Sequence, residues 1–342
     1  MRILVTGGCG FIGSNFIRYV LNKNNSDVLI NFDKLTYAGN PANLEEVEKI
    51  HDGGRYFFCH GDIANKDDVM FALEEYRPDA VVNFAAESHV DRSIHDAMPF
   101  ITTNVIGTQV LIQACLDLHI ERYVQISTDE VYGSLGPEGL FTESTPLDPR
   151  SPYSASKASA DCLVAAFYHT HNFPAVITRC SNNYGPYQFP EKLIPFMYRQ
   201  ASKNEFLPVY GDGRNVRDWI HVDDHCDGIW LALTLGRPGA AYNFGGDAER
   251  SNIDVVRQIL QIMNKPENLI RYVKDRPGHD RRYAMDFTLA SEELDFFPKH
   301  NFEDGLVETI NWYQQNEDWL DGIVSGAYLD FMQEWYGRGK RL

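Results

Sequence analysis

Ile3-Leu4-Val5-Thr6-Gly7-Gly8-Cys9-Gly10-Phe11-Ile12-Gly13 is an apolar run that breaks into a turn with Gly7, Gly10 and Gly13 spaced GxxGxxG. A short apolar run bounded by glycine reads as a buried strand. The stretch Asn15–Asn22 then carries apolar residues at helical spacing. Strand, tight turn and helix together bring backbone N–H groups close to a pyrophosphate. A second apolar run, Val28–Phe32, leads into Asp33, 20 residues after Gly13. An acid there accepts hydrogen bonds from an adenosine ribose and repels a 2′-phosphate, so NAD rather than NADP is the expected cofactor. Lys34 next door works against that preference. The plain alternative is a tight turn without a ligand.

The strand pattern recurs at Tyr56–His60, Ala80–Phe84, Tyr123–Ser127 and Ala175–Thr178. Amphipathic stretches such as Lys66–Tyr76, Val105–Leu118 and Tyr153–His169 lie between. Alternation of this kind predicts an α/β fold, a doubly wound parallel sheet of the Rossmann type. Ala241–Phe244 is a further candidate strand. After Arg179 turn signals thicken, at Tyr184–Tyr187, Tyr210–Gly213, Gly236–Gly239 and Asp275–Gly278. Helical patterns persist at Asn252–Met263 and Phe302–Glu317, but the strict alternation is lost. The expected organisation is a cofactor domain over residues 1–180, to which the chain returns around 215–245. Residues 181–342 then form mainly a smaller mixed α/β substrate domain. The C-terminal end reads as a peripheral helix.

The composition, 44% hydrophobic and 23% charged over 342 residues, is that of a globular chain. A formal charge of −17 argues against a nucleic-acid partner, though a helix N-terminus and a few arginines can still hold one small diphosphate. No apolar run reaches the roughly 18 residues of a membrane span. The chain enters its first strand at once, with no room for a signal peptide, so a cytoplasmic location and no membrane partner are expected. Cys9, Cys59, Cys115, Cys162, Cys180 and Cys226 form no CxxC pair. They read as reduced thiols, mostly buried, and no metal site is expected.

The chemistry-bearing residues follow the predicted strand ends, where open sheets gather ligands. Asp62-Ile63 is placed near an adenine, although Asp62 is equally a turn or N-cap residue. Phe84-Ala85-Ala86-Glu87-Ser88 would pass under the middle of a dinucleotide. Ser151-Pro152 starts a helix that carries Tyr153 and Lys157 on one face. An ammonium about 4 Å from a phenol contributes roughly 4 kcal/mol at an effective dielectric near 20, which is expected to lower the phenol's pKa. The pair then suits a base that takes a hydroxyl proton while hydride leaves to NAD, with Thr128 holding the same hydroxyl. A surface helix bearing both residues by chance is the bland alternative. Asp129 and Glu130 would point to opposite faces of a continuing strand, so reaching one substrate requires the backbone to leave the extended form. A solvated acidic turn is the alternative there.

The motifs TGGCGFIGSN at Thr6, NFAAESHVDRS at Asn83, STDEVYG at Ser127 and SPYSASKASAD at Ser151 occur in that order. TRCSNNYGPYQFPEKLIP at Thr178, VRDWIHVDDH at Val216 and RPGHDRRYA at Arg276 follow. With these blocks, nearly the whole chain resembles the extended short-chain dehydrogenase/reductases, and within them the dTDP-glucose 4,6-dehydratases. STDEVYG separates this reading from the related sugar-nucleotide epimerases. The resemblance implies C4 oxidation of a nucleoside-diphosphate glucose with Tyr153 as base, assisted by Thr128 and Lys157. Glu130 would take the C5 proton and protonated Asp129 would donate to the departing C6 hydroxyl. Hydride return to C6 completes a 4-keto-6-deoxy sugar. Like-charge coupling and burial can hold two neighbouring carboxyls in opposite protonation states.

Cofactor contacts implied by the resemblance are Gly7, Gly10, Phe11, Ile12, Gly13, Asp33, Lys34, Leu35, Thr36, Asp62 and Ile63. Phe84, Ala85, Ala86, Ser88, Thr103, Tyr153, Lys157 and Asn183 complete them. Implied substrate contacts are Ser88, Thr128, Asn182, Lys192, Leu193, Pro208, Val209, Tyr210, Arg217, Asn243, Arg276 and His279. A homodimer through a four-helix bundle of the stretches Val105–Leu118 and Tyr153–His169 is also implied. Cys9 stands where the family more often has Ala, which opens the pyrophosphate turn to oxidation. A UDP-glucose 4,6-dehydratase or an epimerase on the same scaffold is the alternative reading. A catalytically silent nucleotide-binding protein is disfavoured, since nothing structural requires Thr128, Asp129, Glu130, Tyr153 and Lys157 together.

Overall fold

The apolar runs assemble into a seven-stranded parallel sheet. The strands are β1 (Arg2–Thr6), β2 (Val28–Asp33), β3 (Tyr56–His60), β4 (Ala80–Asn83), β5 (Arg122–Thr128), β6 (Ala175–Cys180) and β10 (Ala241–Phe244). Their order is β10-β6-β5-β4-β1-β2-β3. This is a computed structural model, and it describes residues 1–51 and 54–323. The peripheral helix expected at the C-terminal end lies largely outside the described residues.

The strand order reverses between β1 and β4, so their two loops part and leave a crevice at the carboxyl end of the sheet. The Thr6 hydroxyl donates to Asn83 Oδ1 at 2.5 Å, and the Ala85 N–H donates back to Thr6 Oγ1 at 3.3 Å. One face of the sheet packs against Phe16, Ile17 and Val20 of the Phe11–Lys23 helix and Cys226, Ile229 and Leu233 of the Val222–Leu235 helix. The other face packs against Leu73, Leu111, Ile112 and Val164. Each of these side chains is almost fully buried, worth about 1.5–3 kcal/mol apiece.

The chain returns to the large sheet through the Val222–Leu235 helix and β10. β9 (Val216–His221) does not join it. It pairs with β7 (Asn182–Tyr184) and β11 (Glu249–Ser251) in a three-stranded sheet, while β8 (Leu207–Tyr210) pairs with β12 (Ile270–Val273). A separate core there unites Tyr184, Met197, Trp219, Val256, Phe302 and Leu306.

One expectation needs correction. The helix Met98–Asp117, π-helical over Ile101–Gly107, is long and apolar enough by length and composition to span a membrane. Thr102, Asn104, Gln109 and Gln113 interrupt the apolar run without lowering its mean hydropathy enough to hide it. In the fold it lies beside the Pro152–His171 and Lys66–Tyr76 helices, with 44% of its most apolar window buried.

Candidate active site

The glycine turn is shaped by close approaches. Gly7 has φ +68°, and a Cβ there would lie 2.7 Å from the Ala85 nitrogen. A Cβ on Gly13 would meet the Gly7 carbonyl oxygen at 2.4 Å. The N-cap of the following helix, Gly10, offers no side-chain hydrogen bond, so the first amides of that helix remain available to an anion. Asp33 braces the turn: Oδ2 accepts from Cys9 N at 2.9 Å and Oδ1 from Leu35 N at 2.7 Å. Lys34 and Asp62 pair at 2.7 Å, and Asp62 also accepts from Ala64 N at 2.9 Å. Asp62 is therefore a turn residue and a wall of the cavity at once. The Cys9 thiol is buried and pushed up to about 12, chiefly by burial and then by Asp33. The thiolate is the reactive form, so the expected vulnerability to oxidation is not what this environment provides.

β5 stays extended to Thr128 and then turns into a 3-10 segment, Asp129–Tyr132. Thr128 Oγ1 accepts from Glu130 N at 3.3 Å and donates to Asp129 Oδ1 at 3.1 Å. This break brings both carboxyls to one cavity. Asp129 is buried, its Oδ2 has no partner, and burial followed by Glu130 pushes its pKa well above the usual range. Glu130 is raised by burial too, but Arg276, Lys192 and Arg217 oppose the rise.

Ser151 caps the Pro152–His171 helix in a capping box with Ser154, which fixes Tyr153 and Lys157 on the cavity wall. The phenol does not behave as expected. Burial, then Glu130, Cys180 and Asp129, raise it well above 10, against a hydrogen bond with Thr128 that lowers it. Lys157 Nζ instead donates to the Ile126 carbonyl at 2.6 Å, and burial depresses its own pKa. Desolvation beside two carboxyls outweighs one ammonium engaged elsewhere.

The cavity at the switch point is lined by Gly7, Gly10, Phe11, Ile12, Gly13, Asp33, Lys34, Thr36, Asp62 and Ile63. Phe84, Ala85, Ala86, Ser88, Thr103 and Asn183 also line it, as do Thr128, Asp129, Glu130, Tyr153 and Lys157. A second cavity is lined by Pro208, Val209, Tyr210, Arg217, Arg276 and His279. Glu130, Asn182, Lys192 and Leu193 belong to both, so the two cavities meet there. Ser88 and Thr128 line only the first.

Two expected contacts line neither cavity. Leu35 adopts φ +56° and is 36% exposed. Asn243 is fully buried because β10 pairs with β6; its Oδ1 accepts from the Tyr132 hydroxyl at 2.8 Å and its Nδ2 donates to Phe141 O at 3.0 Å. In the second cavity Arg217 lies 4.2 Å over the Tyr283 ring and Arg276 pairs with Asp91 at 3.4 Å. Burial, then Arg276 and Arg217, hold His279 down to about 4, so it is neutral at pH 7. Lys192, Arg217 and Arg276 give the cavity the cationic character a diphosphate requires.

The sequence pattern of the GDP-mannose 4,6 dehydratase family matches residues 4–309. The chain belongs to that family. A dTDP-glucose 4,6-dehydratase from Xanthomonas campestris pv. campestris is 49% identical, over 95% of this chain and 96% of the relative. A dTDP-glucose 4,6-dehydratase from Bacillus anthracis, solved in complex with NAD, superposes with a TM-score of 0.88 at 49% identity, covering 94% of this chain and 99% of that one. The Streptomyces venezuelae dTDP-glucose 4,6-dehydratase, also solved with NAD bound, gives a TM-score of 0.91 at 47% identity, covering 94% and 100%.

Sequence reasoning left several residues of this family member unassigned. Asn104, in the π-helical turn, accepts from Glu87 N at 2.9 Å and donates to Glu87 O at 3.0 Å and Ser156 Oγ at 2.8 Å. It ties the loop after β4 to the helix that carries Tyr153. Its signal was a polar amide among the few polar residues of a mainly apolar helical stretch. Glu191 lines both cavities, accepts from the Tyr37 hydroxyl at 3.1 Å, and has Arg92 at 3.6 Å and His89 at 3.8 Å. Burial raises it to about 7 against Lys192 and Arg92. Its neighbour Lys192, already an expected substrate contact, donates from Nζ to Ser88 O at 2.8 Å. His225, held near 3 by burial, lies with Nδ1 2.8 Å from Asn183 Oδ1 and so orients that amide.

His221, Asp223 and His300 lie close enough to suggest metal ligands. Their rings are stacked at 4.1 Å, His221 Nδ1 already accepts from Asp223 N, and His300 Nδ1 is 2.9 Å from Asp224. Stacked rings aim their lone pairs along parallel planes rather than at one ion, so the cluster reads as packing of the 299–300 segment onto the Val222–Leu235 helix.

Proposed function

We propose that the protein is an NAD-dependent hydro-lyase that converts dTDP-glucose to the 4-keto-6-deoxy sugar nucleotide. The observation that carries the reading is the carboxyl pair lining one crevice: burial and Glu130 push Asp129 well above the usual carboxylate range, while three cations counter the rise of Glu130. An enzyme that only moved hydride at C4 would have no use for a second acid–base couple. The identity to dTDP-glucose 4,6-dehydratases over nearly the whole length supports the thymidine nucleotide.

NAD, when bound, would supply the hydride acceptor for C4, the hydride donor for C6 and a positive charge that favours the Tyr153 phenolate. The available amides after Gly10, the bare faces of Gly7 and Gly13 and the Asp33 carboxylate suit that group. Tyr153 takes the C4 hydroxyl proton, and Thr128 orients that hydroxyl. The resulting ketone acidifies C5–H. Glu130 removes this proton, and Asp129 gives its own to the C6 hydroxyl, which leaves as water. Reduction at C6 and reprotonation at C5 restore a saturated ring.

The division of labour is part of the proposal. Residues 1–180, with the return through the Val222–Leu235 helix and β10, serve the cofactor, and the remainder, β9 included, mainly holds the sugar nucleotide, its diphosphate on Lys192, Arg217 and Arg276. So is a homodimer. Exposed Met98, Ile101 and Ile106 on one helix and exposed Ala155, Ser159 and Cys162 on the other form a face suited to a second copy. Reduced cysteines and a nucleotide-sugar substrate fit a cytoplasmic location. Incubation with dTDP-glucose, following the base-dependent absorbance of the keto sugar, tests the activity. Absence of product from both dTDP-glucose and UDP-glucose would refute it.

A further inference from the structure

A hydroxyl both donates and accepts, and the junction of the two cavities presents one unanswered group of each kind. Trp219 Nε1 is a buried donor and Asn182 Oδ1 a buried acceptor, and neither has a hydrogen-bond partner. Asn182 and Trp219 are register partners in the parallel β7–β9 pair. Their side chains therefore leave one face of the sheet from strands about 4.8 Å apart. Both residues line both cavities, as Glu130 does.

Trp219 is 4% exposed, and its ring packs against Tyr184, at 6.3 Å, and Phe302, at 5.9 Å, in a three-ring cluster. The Tyr184 hydroxyl faces Gly305 and Tyr184 lines neither cavity. An indole N–H held rigidly without a partner is costly unless something in the cavity accepts from it.

We propose that Trp219 Nε1 donates to, and Asn182 Oδ1 accepts from, a single hydroxyl of the hexose, the one on C2 or C3. This rests on the reading of the site given above. A diphosphate oxygen only accepts, so it cannot answer Asn182 Oδ1. The C4 hydroxyl belongs to Tyr153 and Thr128, and the C6 hydroxyl to Asp129. Glu130 lines the same junction and acts on C5, so the ring within reach is the hexose rather than the nucleoside sugar. The pair would fix the rotation of the hexose and select sugars that carry this hydroxyl.

The test compares kcat/KM of the holoenzyme on dTDP-glucose and its 2-deoxy and 3-deoxy analogues, for the unaltered protein and for Trp219→Phe, which keeps an aromatic ring and loses the N–H. The unaltered protein is expected to disfavour one analogue by roughly tenfold to a hundredfold. Trp219→Phe is expected to lose most of that preference through a fall on dTDP-glucose, with little further fall on the same analogue. Equal use of all three sugars by the unaltered protein would overturn the assignment, and needs no variant. So would a Trp219→Phe enzyme that keeps full discrimination, or one that loses equally on every sugar and binds dTDP more weakly by calorimetry, which would place the N–H on the diphosphate. Failure of the unaltered protein to turn over dTDP-glucose would count against the activity itself.

Discussion

Asp129 and Glu130 are joined by one peptide bond and face different charges. Asp129 is buried beside the Thr128 hydroxyl with one oxygen unanswered, and burial and Glu130 outweigh the opposing Arg217, whereas Arg276, Lys192 and Arg217 all act on Glu130. Glu130 therefore ionises before Asp129. A bell-shaped kcat/KM profile is expected, its acid limb set by ionisation of Glu130 and its alkaline limb by loss of the Asp129 proton. The two limbs describe the coupled pair rather than either group alone. Removing a cation that favours the Glu130 carboxylate must raise its pKa, so Lys192→Met is expected to move the acid limb to higher pH. A profile that stays in place, measured alongside the unaltered enzyme, would contradict this.

Asp129→Asn keeps a polar side chain of the same size but has no proton to give the leaving hydroxyl. Turnover is expected to fall by about 10²–10⁴-fold, the usual contribution of a positioned acid. Binding of dTDP, followed by calorimetry, is expected to change little.

Glu191 holds its proton up to about 7 in the folded protein, against about 4.3 in an unfolded chain. A carboxyl raised in this way binds more protons folded than unfolded, so its effect on stability turns unfavourable as pH rises from about 4.3 to 7. Glu191→Gln is expected to remove that slope and to stabilise the protein at pH 8 by on the order of 4 kcal/mol at most. Urea melts at pH 5 and pH 8 give the comparison. Because Glu191 lines both cavities, the same change is expected to lower kcat/KM.

Gly13→Ala places a methyl 2.4 Å from the Gly7 carbonyl oxygen. Backbone on both sides cannot give way cheaply, so a loss of about 1–3 kcal/mol in stability is expected. NAD affinity, read by fluorescence titration, should fall with it because the turn must open.

Cys162 is the exposed thiol on the Pro152–His171 helix. An arginine there would place a charge on the small-residue face offered to a second copy. Cys162→Arg is expected to sediment as a monomer where the unaltered protein sediments as a dimer. Sedimentation of the unaltered chain as a monomer would remove the interface.

The large sheet was legible because buried parallel strands are continuous apolar runs, and because Gly7, Gly10 and Gly13 serve a turn that tolerates no Cβ. The break after Thr128 was legible from two acids that had to share one site. Contacts between residues distant in sequence were not. Asn104 reaches Ser156, and Glu191 meets Tyr37, only through the packing of separate segments. Asn243 looked like a cavity residue, but pairing of β10 with β6 turns it toward Tyr132 and Phe141. The high pKa of Tyr153 follows from burial beside two carboxyls, which i, i+4 spacing does not reveal.

The most direct test of Glu130 as the C5 base is Glu130→Gln incubated with dTDP-glucose in D2O. Reduced-nicotinamide absorbance is expected to accumulate, with no deuterium at C5 and no 4-keto-6-deoxy product. Product carrying C5 deuterium at the unaltered enzyme's rate would contradict the assignment of Glu130 as the base that drives water loss.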